Sequence, residues 1–214
     1  MNSFTRAHYT VLHSSILVAP YIQQHKNDLR SKYPEDEIDG VHIRTFGGWL
    51  QKRLMNVTTN ELQLYLLAKT PSSTILTFKG YEINGNTFYT ADQDKKSTNQ
   101  NSGVRFDASN NNGTNDTYYG YIEQIWELDY GPSFKVPLFR CKWYNLDGGV
   151  NVDPKYGMTT VHLKNLGYDN EPFVLAKDVA QVSPSYSPTL GSGFLCEDAP
   201  WLNLYVMCSN VLKH

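Results

Sequence analysis

The stretch Ile75-Leu-Thr-Phe-Lys-Gly-Tyr-Glu-Ile83, then Asn84-Gly85, then Asn86-Thr-Phe-Tyr-Thr90 decides the fold class. Asn-Gly readily takes the positive φ angles of a type I′ turn, so two strand-like arms around it read as a β-hairpin. Upstream of Thr74 the apolar residues recur at helical spacing, and downstream the period becomes that of strands. The expectation is an α+β chain in which short N-terminal helices precede a small, strongly bent antiparallel β-sheet or barrel.

Pro20 suits the first turn of a helix, and Ile22, His25, Leu29 and Tyr33 form a stripe that Pro34 stops. Ile38, Val41, Thr45 and Trp49 continue a similar stripe, interrupted by Gly47-Gly48. Thr58 with Glu61 makes a capping-box pattern ahead of Leu62–Leu67, a helix that Thr70-Pro71 ends. Beyond the hairpin, residues 92–117 are polar apart from Val104 and Phe106, and their Asn-rich end at 109–117 is expected to be a mobile loop.

Strands are expected over Tyr119–Leu128, Lys135–Tyr144, Met158–Leu166 and Pro172–Ala176. In the second of these, Phe139, Cys141 and Trp143 share one face and Arg140 and Lys142 the other. After Val182 the texture becomes linker-like. The expected division is 1–73 helical, 74–182 β-rich, and 183–214 a poorly ordered tail.

The chain has 214 residues, 40% of them hydrophobic and 19% charged, a globular composition. Its three cysteines, Cys141, Cys196 and Cys208, have no C-x-x-C spacing, which argues against a disulfide framework or zinc ribbon. The start lacks the apolar core and cleavage site of a signal peptide, so an intracellular location is expected. No apolar run approaches membrane-span length. Residues 1–79 carry nine Lys/Arg against six Asp/Glu, whereas residues 80–182 carry nine against thirteen. An acidic β-rich part is a poor match to a phosphate backbone, which disfavours direct DNA binding by 80–182.

Several strings together resemble the Domain of Unknown Function 4216 family, found in proteins encoded by plant En/Spm (CACTA) transposons. They are RAHYTVLHSS with APYIQQHKNDLRSKYP, GYEINGNTFYT, QNSGV at Gln100–Val104, YYGYIEQIWELDY at Tyr118–Tyr130, LFRCKWYN at Leu138–Asn145 and EPFVLAKDVAQV at Glu171–Val182. The resemblance spans roughly residues 6–182 and implies a transposase-associated, nuclear protein. The family pattern is expected to stop at Val182, where Ser183-Pro184 stands. The order of the G-x-I-x-x-I-W-E, F-R-C-K-W-Y and E-P-F-V-L-A-K-D-V segments is also similar to bromo-adjacent homology domains, an analogy of fold that conveys no function.

Catalytic chemistry finds no signature. Asp92, Asp94, Glu123, Glu127 and Asp129 sit in turns or on strand faces without the converging pattern that a two-metal centre needs. The six histidines show no ligand spacing, and Cys141 lies on the presumed inner face, where thiols are inert. No catalytic residue, cofactor or metal is expected. Tyr118, Tyr119, Trp126, Trp143, Tyr144 and Phe173 carry the functional tension: they either line a cage for a cationic group on a basic partner such as a histone tail, or fill the core. Arg44, Lys52 and Arg53, near Trp49, either contact nucleic acid weakly or form a solvated helical face. The expectation is a non-catalytic accessory module that binds a protein, chromatin or DNA partner. The alternative is a scaffold fragment of a larger transposase polyprotein.

Overall fold

A computed structural model describes residues 2–55, 62–98, 100–109, 115–153, 159–187 and 192–197, with backbone alone at 62, 183–187 and 192–197. Among the described residues the chain opens with four helices: α1 Ser3–His13, α2 Ala19–Arg30, α3 Glu35–Leu54 and α4 Leu62–Ala68. The Asn2 side chain accepts the Thr5 amide at 2.8 Å and caps α1. Pro20 sits in the first turn of α2, and Pro34 ends the intervening turn and caps α3. Glu35, Asp36 and Glu37 in the first turn of α3, with Lys52 and Arg53 in its last, complement the helix dipole. The Thr58–Glu61 capping pattern lies outside the described residues.

The Gly47-Gly48 pair does not interrupt α3. A Cβ at Gly47 would lie 3.1 Å from the His8 ring, so the missing side chain is where α1 comes close. Phe46 and Leu50 flank the pair and are fully buried. Each such side chain contributes about 1.5–3 kcal/mol, which outweighs the ~1 kcal/mol a glycine costs a helix.

Among the described residues twelve strands follow: β1 Leu76–Phe78, β2 Gly80–Ile83, β3 Asn86–Tyr89, β4 Gly103–Ser109, β5 Asn115–Asp129, β6 Lys135–Tyr144, β7 Val150–Val152, β8 Thr159–His162, β9 Leu166–Gly167, β10 Phe173–Leu175, β11 Val179–Ser187 and β12 Ser192–Glu197. Asn84 and Gly85 have φ of 52° and 77°, and Ile83 pairs with Asn86 across them, which is the two-residue hairpin that Asn-Gly favours. The first arm is split at Lys79. Leu76–Phe78 pairs with β5, whereas Gly80–Ile83 pairs with β3, and a Cβ at Gly80 would meet the Tyr89 ring at 2.6 Å.

The remaining strands form one sheet in the order β10-β6-β5-β4-β11-β12-β8-β7, with β1 beside β5, β9 beside β6, and antiparallel pairing throughout. The path ends at β10 and β7, so the sheet is open and does not close into a barrel.

Three departures from the sequence reading have physical causes. Within the polar stretch 92–117, residues 103–109 and 115–117 are strand: β4 pairs with β5 from Gly103↔Tyr121 to Ser109↔Asn115. Buried Val104 anchors it and Thr117 donates to Asp107 at 2.8 Å, so cross-strand partners supply what side-chain hydrophobicity lacks. Residues 110–114 lie outside the described residues. The expected strand Met158–Leu166 is two, because the Asn165 amide returns to the His162 carbonyl and turns the chain. Finally, β11 crosses Val182 and runs to Ser187. It leaves β4 after Gln181 and pairs from Val182 with β12, so a new partner continues the strand.

The helices cover one face of the sheet. Ala7, Leu12, Phe46, Leu50 and Leu67 share a core with Trp126, Leu128, Leu138, Phe173 and Leu175. A second core holds Phe88, Val104, Ile122, Ile125, Phe139, Cys141, Trp143 and Val174, with the β2–β3 hairpin packed on it. Strand β6 shows why the two are separate: Leu138 enters the first, and Phe139, Cys141 and Trp143 the second. Strand β5 would lose that alternation without a bulge at Glu123, which shifts the register between Ile122 and Gln124. The extra residue lets Ile122 and Ile125 both enter the second core while Trp126 and Leu128 enter the first.

Candidate functional site

The six aromatic residues singled out from the sequence do not converge. Trp126 and Phe173 pack in the helix-facing core with ring centroids 4.8 Å apart and planes tilted by 52°. Tyr119 and Tyr144 fill a third small cluster with Val161 and Val182. Trp143 belongs to the second core, and Tyr118 is half-buried against it. All but Tyr118 are at most 8% exposed. These positions fill cores, as a sheet of this size requires.

Tyr118 and Trp143, however, belong to a row that crosses the sheet. Phe106 pairs with Tyr118, Gly120 pairs with Trp143, and Trp143 pairs with Gly167, the neighbour of Tyr168. Gly120 makes the row possible. A Cβ there would lie 2.4 Å from the Lys142 carbonyl oxygen and 2.8 Å from Trp143 Cε3, so only glycine lets the indole lie across β5. Phe106 and Trp143 centroids are 6.4 Å apart, and Tyr118 meets Tyr168 edge-on at 5.2 Å. The indole Nε1 donates to the Glu171 carbonyl at 3.2 Å.

Tyr168 is the open end of the row. Its backbone is left-handed, with φ of 58°, and the Glu171 amide closes a turn onto its carbonyl at 2.9 Å. The ring is 38% exposed. Acidic groups surround the row. Desolvation raises the Tyr118 hydroxyl above its ordinary pKa, and Asp116, Tyr168 and Glu171 raise it further. Asp107 is paired with Arg105 at 3.1 Å and Asp169 with Lys142 at 3.0 Å. The Glu171 carboxylate makes no hydrogen bond or ion pair among the described residues. Negative charge beside an exposed aromatic face suits a cation.

Residues 126–187 match the family described as domain of unknown function (DUF4216). The match covers under a third of the chain and takes in Trp143 and Tyr168, β6 and the turn to Glu171, but not Phe106, Tyr118 or Gly120. It reaches residue 187, beyond the Val182 edge expected for the pattern. The chain matches no curated protein and no solved structure.

The remaining candidates are dispersed. Arg44, Lys52 and Arg53 are exposed on α3. At about 100° per residue, Arg53 projects opposite Arg44, so the three do not form one patch. Among the carboxylates, Asp92 pairs with Lys95, Glu123 with Arg140, and Glu127 with Lys135 and the Tyr81 hydroxyl. Buried Asp94 accepts the amides of Asn101 and Ser102, and Asp129 accepts that of Gly131. Burial pushes the Cys141 thiol far up. Among the described residues no three His, Cys, Asp or Glu side chains cluster at metal-binding distance, and no helix is long and apolar enough to cross a membrane.

Two features escape the sequence reading. Tyr168 carries no motif, since only the turn between β9 and β10 brings it to Tyr118. His25 and His42 are 17 positions apart, yet their Nδ1 atoms lie 2.8 Å from each other in the interior. Their signal is a histidine within the apolar stripe of each of two consecutive helices.

Proposed function

We propose that this chain is a non-catalytic binding module that holds a basic segment of a protein partner against Tyr118 and Tyr168, the open end of the Phe106–Tyr118–Trp143–Tyr168 row. The observation that carries the proposal is the exposed Tyr168 meeting Tyr118 edge-on, near the Glu171 carboxylate, which has no partner among the described residues. An aromatic face attracts a lysine or arginine cation, by about 0.5–2 kcal/mol according to its desolvation, and an adjacent carboxylate adds to that attraction. The excess of thirteen acidic over nine basic residues across 80–182 steers basic partners toward this part of the chain.

The strings shared with plant En/Spm transposon-encoded proteins support an origin in such an element and an accessory role beside a transposase in the nucleus. Basic chromatin tails and other element-encoded proteins are the partners that fit this reading. Nucleic acid fits less well, because Arg44, Lys52 and Arg53 are spread around α3 and the sheet is acidic. Titration of the full chain with a lysine-rich peptide and with its glutamate-substituted counterpart tests the reading. Saturable binding of the first alone, weakened by salt, supports it, and equal or absent binding of both defeats it.

A further inference from the structure

A cleft of about 180 Å³ opens between α1 and α3, with Phe4, His8 and Leu12 on one wall and Ile43, Arg44 and Gly47 on the other. It shares no residue with the aromatic row. His8 is 92% buried, and its Nδ1 lies 2.8 Å from the Tyr130 hydroxyl. Its Nε2 makes no hydrogen bond among the described residues and, with the neighbouring Cδ2, lies 3.1 Å from where a Gly47 Cβ would stand. The glycine therefore keeps this nitrogen open to the cleft. Arg44, exposed and unpaired among the described residues, lines the same cleft.

The tautomer follows from the partner. Tyr130 is buried, and the contact with His8 is the only hydrogen bond its hydroxyl makes among the described residues. If the histidine donated through Nδ1, the phenol hydrogen would be buried with no acceptor. The phenol O–H therefore donates to Nδ1, and the ring proton sits on Nε2, facing the cleft. Burial holds the imidazole neutral by lowering its pKa to about 4, and burial likewise keeps the phenol protonated.

A buried N–H donor and a guanidinium fork call for an acceptor with negative charge, and the walls of Phe4, Leu12 and Ile43 call for an apolar body behind it. We infer that the α1–α3 cleft binds a carboxylate carried on a compact apolar group, held by His8 Nε2–H and the Arg44 guanidinium. The volume is below the few hundred Å³ of a drug-sized pocket, so it admits one ring or one side chain.

Calorimetric titration of the full chain with benzoate, and with benzamide as its neutral isostere, tests this. Benzoate should bind saturably at millimolar concentration and more tightly than benzamide. Arg44→Gln should weaken it about ten-fold, the size of one charge-assisted hydrogen bond. Arg44 is exposed, so the variant keeps the fold, and the unchanged circular dichroism spectrum checks this. Benzoate should also shift the His8 Nε2–H resonance. N-acetylphenylalanine separates two sources: tighter binding than benzoate assigns the carboxylate to a peptide end, and weaker binding assigns it to a free acid. Equal affinity for benzoate and benzamide, no effect of Arg44→Gln, or no saturable binding overturns the inference.

Discussion

His25 Nδ1 and His42 Nδ1 stand 2.8 Å apart between α2 and α3, with His42 entirely buried. Thr45 Oγ1 donates to the Val41 carbonyl at 2.8 Å, so at its 3.4 Å contact with His25 Nε2 it accepts. His25 therefore carries its proton on Nε2, and its Nδ1 accepts from His42 Nδ1–H. That leaves His42 Nε2 a buried acceptor without a partner among the described residues. Nitrogen-15 shifts of the two rings should report opposite tautomers, Nε2–H for His25 and Nδ1–H for His42.

Acid should loosen the helices. Tyr9 and His13 on α1, Lys26, Asp28 and Lys32 on α2, and Asp39 on α3 face the pair, but burial dominates and lowers both pKa values, that of His42 to about 4. Burial likewise lowers His8 to about 4. For His42 and His8 the unfolded chain takes up the proton near pH 6.5 and the folded chain only near 4. The stability they confer is therefore complete above about 6.5 and is lost as pH falls toward 4. Urea unfolding followed by circular dichroism should give a stability lower at pH 5 than at pH 7 by on the order of 2 kcal/mol or more. A stability that is flat over this range would mean the histidines are not buried as neutral rings.

Gly120→Ala should destabilise the sheet by about 2–3 kcal/mol, because the added methyl meets a carbonyl oxygen and the Trp143 indole, neither of which can retreat. The urea midpoint reads the loss directly. Gly48→Ala is the control: nothing lies within 4 Å of a Cβ there, and the substitution should stabilise α3 slightly.

Cys141 should resist alkylation. It is 2% exposed in the second core, and burial pushes its thiol far above the usual range. Peptide mapping after brief iodoacetamide treatment should find Cys141 unmodified in the native chain and modified in urea.

How much of this is legible in the residues depends on the range of the interaction. The Asn84-Gly85 turn, the helix stops at Pro34 and Pro71, and the alternation of β6 are written locally and stand in the structure. Strand β4 is not, since its polar residues become a strand only through their partners in β5. The bulge at Glu123 is invisible in the pattern, yet it decides which core each β5 side chain enters. The same limit governs the candidate site. Aromatic content marks Tyr118 and Trp143, but Tyr168 joins them through a turn, and Trp126 and Phe173 are drawn into the helix-facing core by packing that no periodicity encodes.

The central claim is that the aromatic row binds a basic partner, and Tyr168→Ala tests it most directly because this ring is exposed and fills no core. Calorimetry of the full chain with a lysine-rich peptide should show saturable binding that Tyr168→Ala weakens about ten-fold, the size of a desolvated cation–π contact with its packing. Glu171→Gln should weaken it less and flatten its salt dependence. Equal affinity of the wild type and the Tyr168→Ala variant, or no binding of the peptide by either, would contradict the account.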